Sequence, residues 1–197
     1  MSVSITYRNL TIVILAGGQS TRMGTDKGLL AFRNGNFSEQ LIMLATSLTS
    51  NVIVSVGKHN QEVYKSMGAI TVLDQVDAKG PMGGIVSVIP NIETDWFMVV
   101  SVDTPLVTEE MIAELWNNKT GFDSVVYSTD NRIHPLVGLY NRSTKSLWEN
   151  AFESNKLKVT ALVNQFNLKV IEANSETKEN LKNINTPKEY EELITIK

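Results

Sequence analysis

The residues best suited to phosphate chemistry lie in one short stretch, at positions 15–27. Gly17 and Gly18 follow an apolar, β-branched run, and Arg22 and Lys27 come next. Glycine has no Cβ, so several backbone N–H groups can approach one anion. Arginine adds a planar fork of donors and lysine a compact charge. The stretch predicts a phosphate-binding loop after the first strand, with a candidate nucleotide-binding backbone at Leu15, Ala16, Gly17 and Gly18.

This loop matches neither of the two common glycine-rich phosphate motifs. Lys27 stands between Asp26 and Gly28, so the Gly-Lys-Ser/Thr ending of a P-loop is missing. No G-x-G-x-x-G occurs here, which removes the dinucleotide fingerprint. The alternative for such a stretch is a glycine-rich turn with two solvated cations.

Two isolated carboxylates follow later strand-like runs. Asp103 comes after the apolar run 96–102, and a carboxylate at a strand end is suited to holding Mg²⁺ against phosphates. Asp74 follows the run 70–73, where it could accept hydrogen bonds from a base or from ribose hydroxyls. Each has a simpler alternative, because an aspartate often starts a turn, as Asp103 could before Pro105.

The composition limits the function. The chain has 197 residues, 42% of them hydrophobic, which suits one domain over residues 1–197 with a sizeable core. With 18 basic and 21 acidic residues the net charge is −3, so there is no global basic field for nucleic acid. The lack of cysteine excludes thiolate catalysis, and two histidines are too few for a histidine-rich zinc site. No stretch suits a membrane span or a signal region, so we expect a cytoplasmic protein.

Strand-like and helix-like segments alternate along the chain. Apolar runs predict strands at 12–15, 51–57, 70–73, 96–102, 124–128 and 135–140. Helical spacing predicts helices at 37–48, 61–67, 83–89, 109–116 and 187–193, with Ser38 and Thr108 as N-caps. The alternation is typical of a three-layer, Rossmann-like α/β fold with an open, mostly parallel sheet and helices on both faces. Ligands in such sheets bind beyond the carboxyl ends of the strands, where the glycines, cations and carboxylates would meet.

Two further strings contain candidate ligand-binding residues. Gly80 begins the string G-P-M-G-G-I, whose glycines could open a helix toward a phosphate or let a base lie close. His134 precedes Pro135, which favours an extended strand at that point. A lone histidine is more often structural than catalytic, and we assign no base role to His134.

The last third of the chain offers an anion-binding candidate and a helix start. Lys156 and Lys158 precede an amphipathic helix, either as ligands of an anionic acceptor or as a solvated face. Asn183 and Asn185 lie in the string N-I-N-T-P, which by itself predicts a turn and a helix cap before Pro187.

Together these strings resemble a known family. The string L-A-G-G-x-S-x-R-M-G-x-D-K at 15–27 resembles the signature of nucleotidyltransferases that attach a nucleoside monophosphate to a phosphate acceptor. The G-P-M-G-G, H-P and N-I-N-T-P strings narrow the resemblance to the molybdenum cofactor guanylyltransferases, over nearly the whole chain. The resemblance implies the fold of the nucleotide-diphospho-sugar transferases. The chain departs from the pattern at Val102, where many relatives carry cysteine, and at Ser55 and Gly57, where some relatives carry asparagine.

The resemblance implies an Mg²⁺-dependent guanylyltransferase. GMP would pass from GTP to the phosphate of molybdopterin or the molybdenum cofactor, releasing pyrophosphate and forming the guanine dinucleotide cofactor. Cofactor-synthesis or molybdoenzyme-maturation proteins are the further partners implied, with neither nucleic acid nor a membrane involved. Two alternatives stay open. One is a nucleotidyltransferase that uses another acceptor, such as a sugar or polyol phosphate, with a different nucleotide. The other is a nucleotide-binding regulatory module without turnover.

The resemblance also implies residue roles. Arg22 and Lys27 would neutralise charge on the phosphates and on the departing pyrophosphate, and Asp103 would hold Mg²⁺. Asp74 and Gly80 would join Lys27, Asp103 and the 15–18 backbone in binding the nucleotide. The candidate acceptor-binding residues are His134, Asn183 and Asn185 from the resemblance, and Lys156 from its charge.

Overall fold

The computed structural model describes residues 7–18, 26–74 and 79–196. Its strands are β1 Leu10–Leu15, β2 Ala31–Phe32, β3 Gly35–Asn36, β4 Asn51–Val56, β5 Ile70–Leu73, β6 Trp96–Ser101, β7 Ser124–Thr129, β8 Arg132–Asn141 and β9 Leu168–Glu172. Its α-helices are α1 Phe37–Leu48, α2 Gln61–Ser66, α3 Gly80–Val88, α4 Glu109–Asn117, α5 Lys145–Glu153, α6 Val159–Val163, α7 Ser175–Asn180 and α8 Pro187–Ile196. None of the helices in these ranges is long and apolar enough to cross a membrane.

Seven strands form one open sheet in the order β5-β4-β1-β6-β8-β7-β9. The pairs β5–β4, β4–β1 and β1–β6 are parallel, and so is β7–β9. Strand β8 is antiparallel to both β6 and β7, so it alone among the seven runs the other way. The prediction of a mostly parallel α/β sheet is therefore confirmed. Strands β2 and β3 form a separate small hairpin.

Helices cover both faces of the sheet, so β1 and its neighbours are buried on both sides. Residues of β1 alternate between the two layers: Ile12 and Ile14 pack with α1, α2 and α4, and Val13 packs with α3, α5 and α6. All six residues of β1 are buried, as expected for a central parallel strand. A third apolar cluster joins Phe32 and Phe37 to Ile184 and to Leu193 of α8.

The observed elements differ from the predicted ones in three respects. The N-cap of α1 is Asn36, not Ser38: Asn36 and Glu39 form a reciprocal capping box, whereas Ser38 is buried and bonded to Tyr64. Helix α3 begins at Gly80, not at residue 83, so the glycine string forms its first turns. The elements β2, β3, β9, α5 and α7 were not predicted.

An irregularity in β8 shapes the edge of the sheet near the predicted ligand site. Val126 pairs with Gly138 but Tyr127 pairs with His134, so three residues of β8 bulge away from β7. The carbonyl of Pro135 accepts a hydrogen bond from the Tyr140 hydroxyl at 2.6 Å. A Cβ at Gly138 would lie 2.7 Å from that hydroxyl oxygen, which explains the glycine.

Candidate active site

A cavity of about 420 Å³ lies beyond the carboxyl ends of four adjacent strands. Residues just after β1, β4, β5 and β6 line it together with the start of α3. The lining residues that the sequence pointed to are Leu15, Ala16, Gly17, Gly18, Asp74, Gly80 and Asp103. The structure therefore brings seven of the eight residues predicted to bind the nucleotide to one cavity, and the eighth, Lys27, does not line it. Arg22 lies outside the described residues.

Asn60 ties together the two described ends of the glycine-rich stretch. Its Nδ2 donates to the carbonyl of Ala16 at 2.8 Å and to Oδ2 of Asp26 at 2.5 Å. Asn60 is 3% exposed, and its Oδ1 has no hydrogen-bond partner among the described residues. Asp26 also accepts from the backbone N–H of Gly28 at 2.9 Å, which starts the short turn containing Lys27.

Close packing explains why residue 28 is a glycine. A Cβ at this position would lie 2.1 Å from the Tyr64 hydroxyl and 2.2 Å from Ser38 Oγ. These two hydroxyls are fully buried and hydrogen-bonded to each other at 2.6 Å. Burial, followed by the negative charge of Asp26, raises the pKa of Tyr64, so its hydroxyl stays protonated. The turn carrying Lys27 therefore rests against a rigid buried pair.

Asp74 and Ser55 present polar atoms to the cavity over the first turns of α3. Oxygens of the Asp74 carboxylate would lie 3.0 and 3.2 Å from a Cβ on Gly83, so glycine allows that close approach. Ser55 Oγ would lie 2.9 Å from a Cβ on Gly84. Ser55 is 1% exposed, and its Oγ has no hydrogen-bond partner in the described part of the chain. A buried hydroxyl facing a cavity is suited to a polar ligand group.

Lys27 and Asp103 are joined through the N-I-N-T-P segment. Lys27 does not line the cavity; its Nζ donates to Oδ1 of Asn185 at 2.6 Å. The backbone N–H of Ile184 donates to the carbonyl of Asp103 at 2.7 Å. Lys27 and Asp103 are therefore connected through two adjacent residues of one segment, Asn185 and Ile184.

A second cavity of about 330 Å³ adjoins the first, and Pro81 and Leu136 line both. Its wall includes His134 and Asn183, two of the predicted acceptor residues. His134 Nε2 lies 2.7 Å from the Thr129 hydroxyl, and burial lowers the pKa of the imidazole. His134 is therefore biased toward its neutral form.

The other predicted acceptor residues lie elsewhere. Lys156 is exposed and lines a groove between α5 and α6, which meets the second cavity only at Leu157. Asn185 lines neither cavity and contacts Lys27 instead. The structure therefore brings two of the four residues to the second cavity.

Asn60 was not singled out from the sequence, and Ser55 was noted only as a departure from the family pattern. Ser55 is a hydroxyl within the apolar run of β4, and that polarity was a usable signal. Asn60 had no such signal, because both of its partners are distant in sequence, Ala16 by 44 residues and Asp26 by 34.

Asp103 is the residue suited to a metal. In the described ranges, no three acidic, histidine or cysteine side chains cluster tightly enough to hold a metal ion. Asp103 offers one carboxylate at the cavity wall. Mg²⁺ is commonly held by one or two carboxylates, with phosphate oxygens and water completing its shell. The site therefore fits a metal that binds together with phosphates.

Comparison with known proteins identifies the family. The model of the MobA-like NTP transferase domain matches residues 12–168. A probable molybdenum cofactor guanylyltransferase of Clostridium perfringens is 31% identical over 189 residues, covering 92% of this chain and 94% of that protein. One from Flavobacterium johnsoniae is 29% identical over 186 residues, covering 93% and 96%. The crystal structure of molybdopterin-guanine dinucleotide biosynthesis protein A from Archaeoglobus fulgidus superimposes with a TM-score of 0.79 at 20% identity, covering 94% of this chain and 97% of that one. The chain belongs to the MobA-like NTP transferase family.

Proposed function

We propose that this protein transfers GMP from GTP to the phosphate of molybdopterin or the molybdenum cofactor. The observation that carries the proposal is the main cavity. The glycine-rich backbone, a buried hydroxyl and three carboxylates line it beyond four strand ends. The guanylyltransferase names of relatives that align over more than nine-tenths of this chain support the choice of substrates.

In this proposal the main cavity binds GTP. The backbone at 15–18 contacts the phosphates, and the start of α3 at Gly80 lies close to the nucleotide. Asp74 accepts hydrogen bonds from guanine or from the ribose hydroxyls. The Ser55 hydroxyl supplies a further polar contact inside the cavity.

The reaction needs little from side chains beyond position and charge. An oxygen of the acceptor phosphate attacks the α-phosphorus of GTP, and the bond from that phosphorus to the bridging oxygen breaks. The electron pair leaves with pyrophosphate. Because a phosphate nucleophile is already ionised near neutral pH, no general base is required. Catalysis then consists mainly of alignment and charge stabilisation.

The charged residues carry that stabilisation. Lys27 and Arg22 neutralise charge on the phosphates and on pyrophosphate as it leaves. Asp103 would hold Mg²⁺, which would supply positive charge to the phosphate oxygens. Its carboxylate, which follows β6, would be the ligand that the protein provides.

The second cavity is the proposed place of the acceptor. It adjoins the main cavity along Pro81 and Leu136, so an acceptor phosphate there would face the nucleotide. His134 and Asn183 line it, and a neutral His134 can donate or accept a hydrogen bond. Contacts of Lys156 and Asn185 with the acceptor also belong to the proposal.

The rest of the proposal concerns the cellular setting. We propose one nucleotidyltransferase domain over residues 1–197, acting in the cytoplasm where GTP is available. Cofactor-synthesis or molybdoenzyme-maturation proteins would deliver or receive the labile pterin.

Pyrophosphate release tests the activity directly. Purified protein, Mg²⁺ and GTP should release pyrophosphate only when molybdopterin is present, and mass spectrometry should find the guanine dinucleotide. Thermal denaturation with GTP, CTP, UTP or ATP tests the nucleotide, because a ligand at one hundred times its dissociation constant adds about 2.7 kcal/mol of stability. GTP should stabilise most. A preference for CTP or UTP would favour the alternative acceptors, and binding without turnover would favour a regulatory module.

A further inference from the structure

The segment 183–186 contacts two charged residues of the nucleotide end, Lys27 and Asp103. Asn185 accepts a hydrogen bond from Lys27 Nζ at 2.6 Å, and Ile184 donates its backbone N–H to the Asp103 carbonyl at 2.7 Å. Thr104 Oγ1 lies 3.4 Å from oxygens of both Asp103 and Asn183. These last distances are long for hydroxyl hydrogen bonds, so the firm connections are those of Ile184 and Asn185.

Glu189 fixes this segment in place. Its Oε2 accepts from the backbone N–H groups of Asn185 at 2.7 Å and Thr186 at 2.8 Å. The Thr186 hydroxyl accepts from the Glu189 N–H at 3.3 Å, which completes a capping box at the start of α8. The bond from Asn185 is the largest cause of a lowered pKa at Glu189, so the carboxylate stays ionised. Ile184 is buried in the third apolar cluster, which anchors the middle of the segment.

We propose that Asn185 is a positioning residue for Lys27 and that Glu189 holds Asn185 in place for that role. The proposal rests on the proposed function, because it concerns how the triphosphate is bound. A lysine ammonium has three donors on a flexible stem. Asn185 engages one donor with a neutral oxygen, which orients the ammonium without cancelling its charge. The bound geometry is thus partly formed before the nucleotide arrives.

Nucleotide binding without the acceptor tests this role. By calorimetry, Asn185→Ala should weaken GTP binding roughly 5- to 20-fold, less than the full value of a hydrogen bond to a charged group, because Asn185 acts only through Lys27. Asn185→Asp should weaken it further, because a carboxylate would cancel the Lys27 charge. In the Lys27→Ala background, Asn185→Ala should change the affinity less than about twofold.

Three results would overturn the proposal. GTP affinity could stay unchanged while only the KM for the acceptor rises, which would leave Asn185 with its acceptor contact and no role in positioning Lys27. Asn185→Ala could strengthen GTP binding, which would mean that Asn185 holds Lys27 away from the nucleotide. Equal losses in the presence and absence of Lys27 would mean that Asn185 acts independently of it.

The Glu189 step is tested by a conservative rescue. Glu189→Ala should lower GTP affinity and also destabilise α8. Glu189→Gln keeps an acceptor oxygen for the two backbone N–H groups, so it should recover most of the lost affinity. Glu191→Gln is the matched control, because it removes the same charge from an exposed position on the same helix. If Glu189→Gln binds GTP as weakly as Glu189→Ala, the positioning role of Glu189 is wrong.

A nucleotide-independent measurement separates this proposal from the function itself. The ¹⁵Nζ signal of Lys27, identified by its loss in Lys27→Ala, reports hydrogen exchange of the ammonium. Exchange should accelerate in Asn185→Ala and stay slow in Glu191→Gln. If the protein fails to use GTP yet shows this acceleration, only the proposed function is wrong. An unchanged exchange rate in Asn185→Ala would refute the positioning role whatever the substrate.

Discussion

Replacing Asn60 with alanine tests whether the glycine-rich stretch is held at both ends by one buried amide. The variant loses a hydrogen bond to the neutral Ala16 carbonyl and one to the ionised Asp26 carboxylate. These contribute about 1 kcal/mol and about 1.5–3 kcal/mol. The variant also removes Oδ1, which lacks a partner among the described residues. This change stabilises the folded state by about 1 kcal/mol, because the desolvation cost of that oxygen disappears. The net loss in the free energy of unfolding is therefore about 1.5–3 kcal/mol.

Thermal denaturation and GTP titration measure the two consequences. For a protein of this size the melting temperature should fall by about 3–12 °C. The affinity for GTP should also fall, because the residues on both sides of the proposed phosphate-binding backbone lose their common anchor. Asn164→Ala is the matched control, since Asn164 is exposed and follows α6, away from both cavities.

A variant that introduces a negative charge at residue 60 makes the test stricter. Asn60→Asp keeps the shape but places a second carboxylate against Asp26, and like charges at hydrogen-bond distance repel. At pH 7 it should be less stable than Asn60→Ala, and lowering the pH to 5 should narrow the gap. The reasoning fails if Asn60→Asp is as stable as Asn60→Ala, or if Asn60→Ala matches the Asn164→Ala control.

Three further outcomes are expected. Lys27→Ala should fold normally yet lower kcat for pyrophosphate release at least about 100-fold, whereas Lys178→Ala, which removes an exposed lysine paired with a surface aspartate, should retain wild-type turnover. Gly28→Ala should lower the free energy of unfolding by about 1–3 kcal/mol in chemical denaturation, because its Cβ would overlap two buried hydroxyls; wild-type stability would contradict that packing. Burial lowers the pKa of His134, so the stability it contributes is present above about pH 6.5 and is lost as the pH falls through the lower folded-state pKa. The melting temperature of His134→Gln should therefore fall less than that of the wild type between pH 7.5 and 5.5. An equal fall in both proteins would refute the lowered pKa.

The parallel half of the sheet was predictable because each of its strands is marked by a short, local sequence pattern. Strands β1, β4, β5 and β6 are short apolar runs, and each is followed by a glycine or a polar turn. Strand β9 escaped prediction because it pairs on one side only and mixes charged residues with apolar ones. Helix α5 escaped for a similar reason, since Trp148 and Ala151 are its only buried residues.

The candidate site also combines residues that could be predicted from the sequence with residues that could not. Gly17, Asp74 and Asp103 were predictable because residues after parallel strands must meet at one edge of the sheet. The role of Asn60 depends on partners that only the tertiary structure brings near. The contact of Asn185 with Lys27 likewise follows from the docking of a distant segment, and no local spacing in the chain signals it.

The contact between Lys27 and Asn185 spans 158 positions of the chain, which has a consequence for the order of assembly. During synthesis the strands that form the main cavity emerge well before the segment 183–186. Long-range contacts close late, because the loop between them must first be ordered. A nascent chain that ends before Asn185 therefore lacks the contact that Lys27 makes in the complete structure.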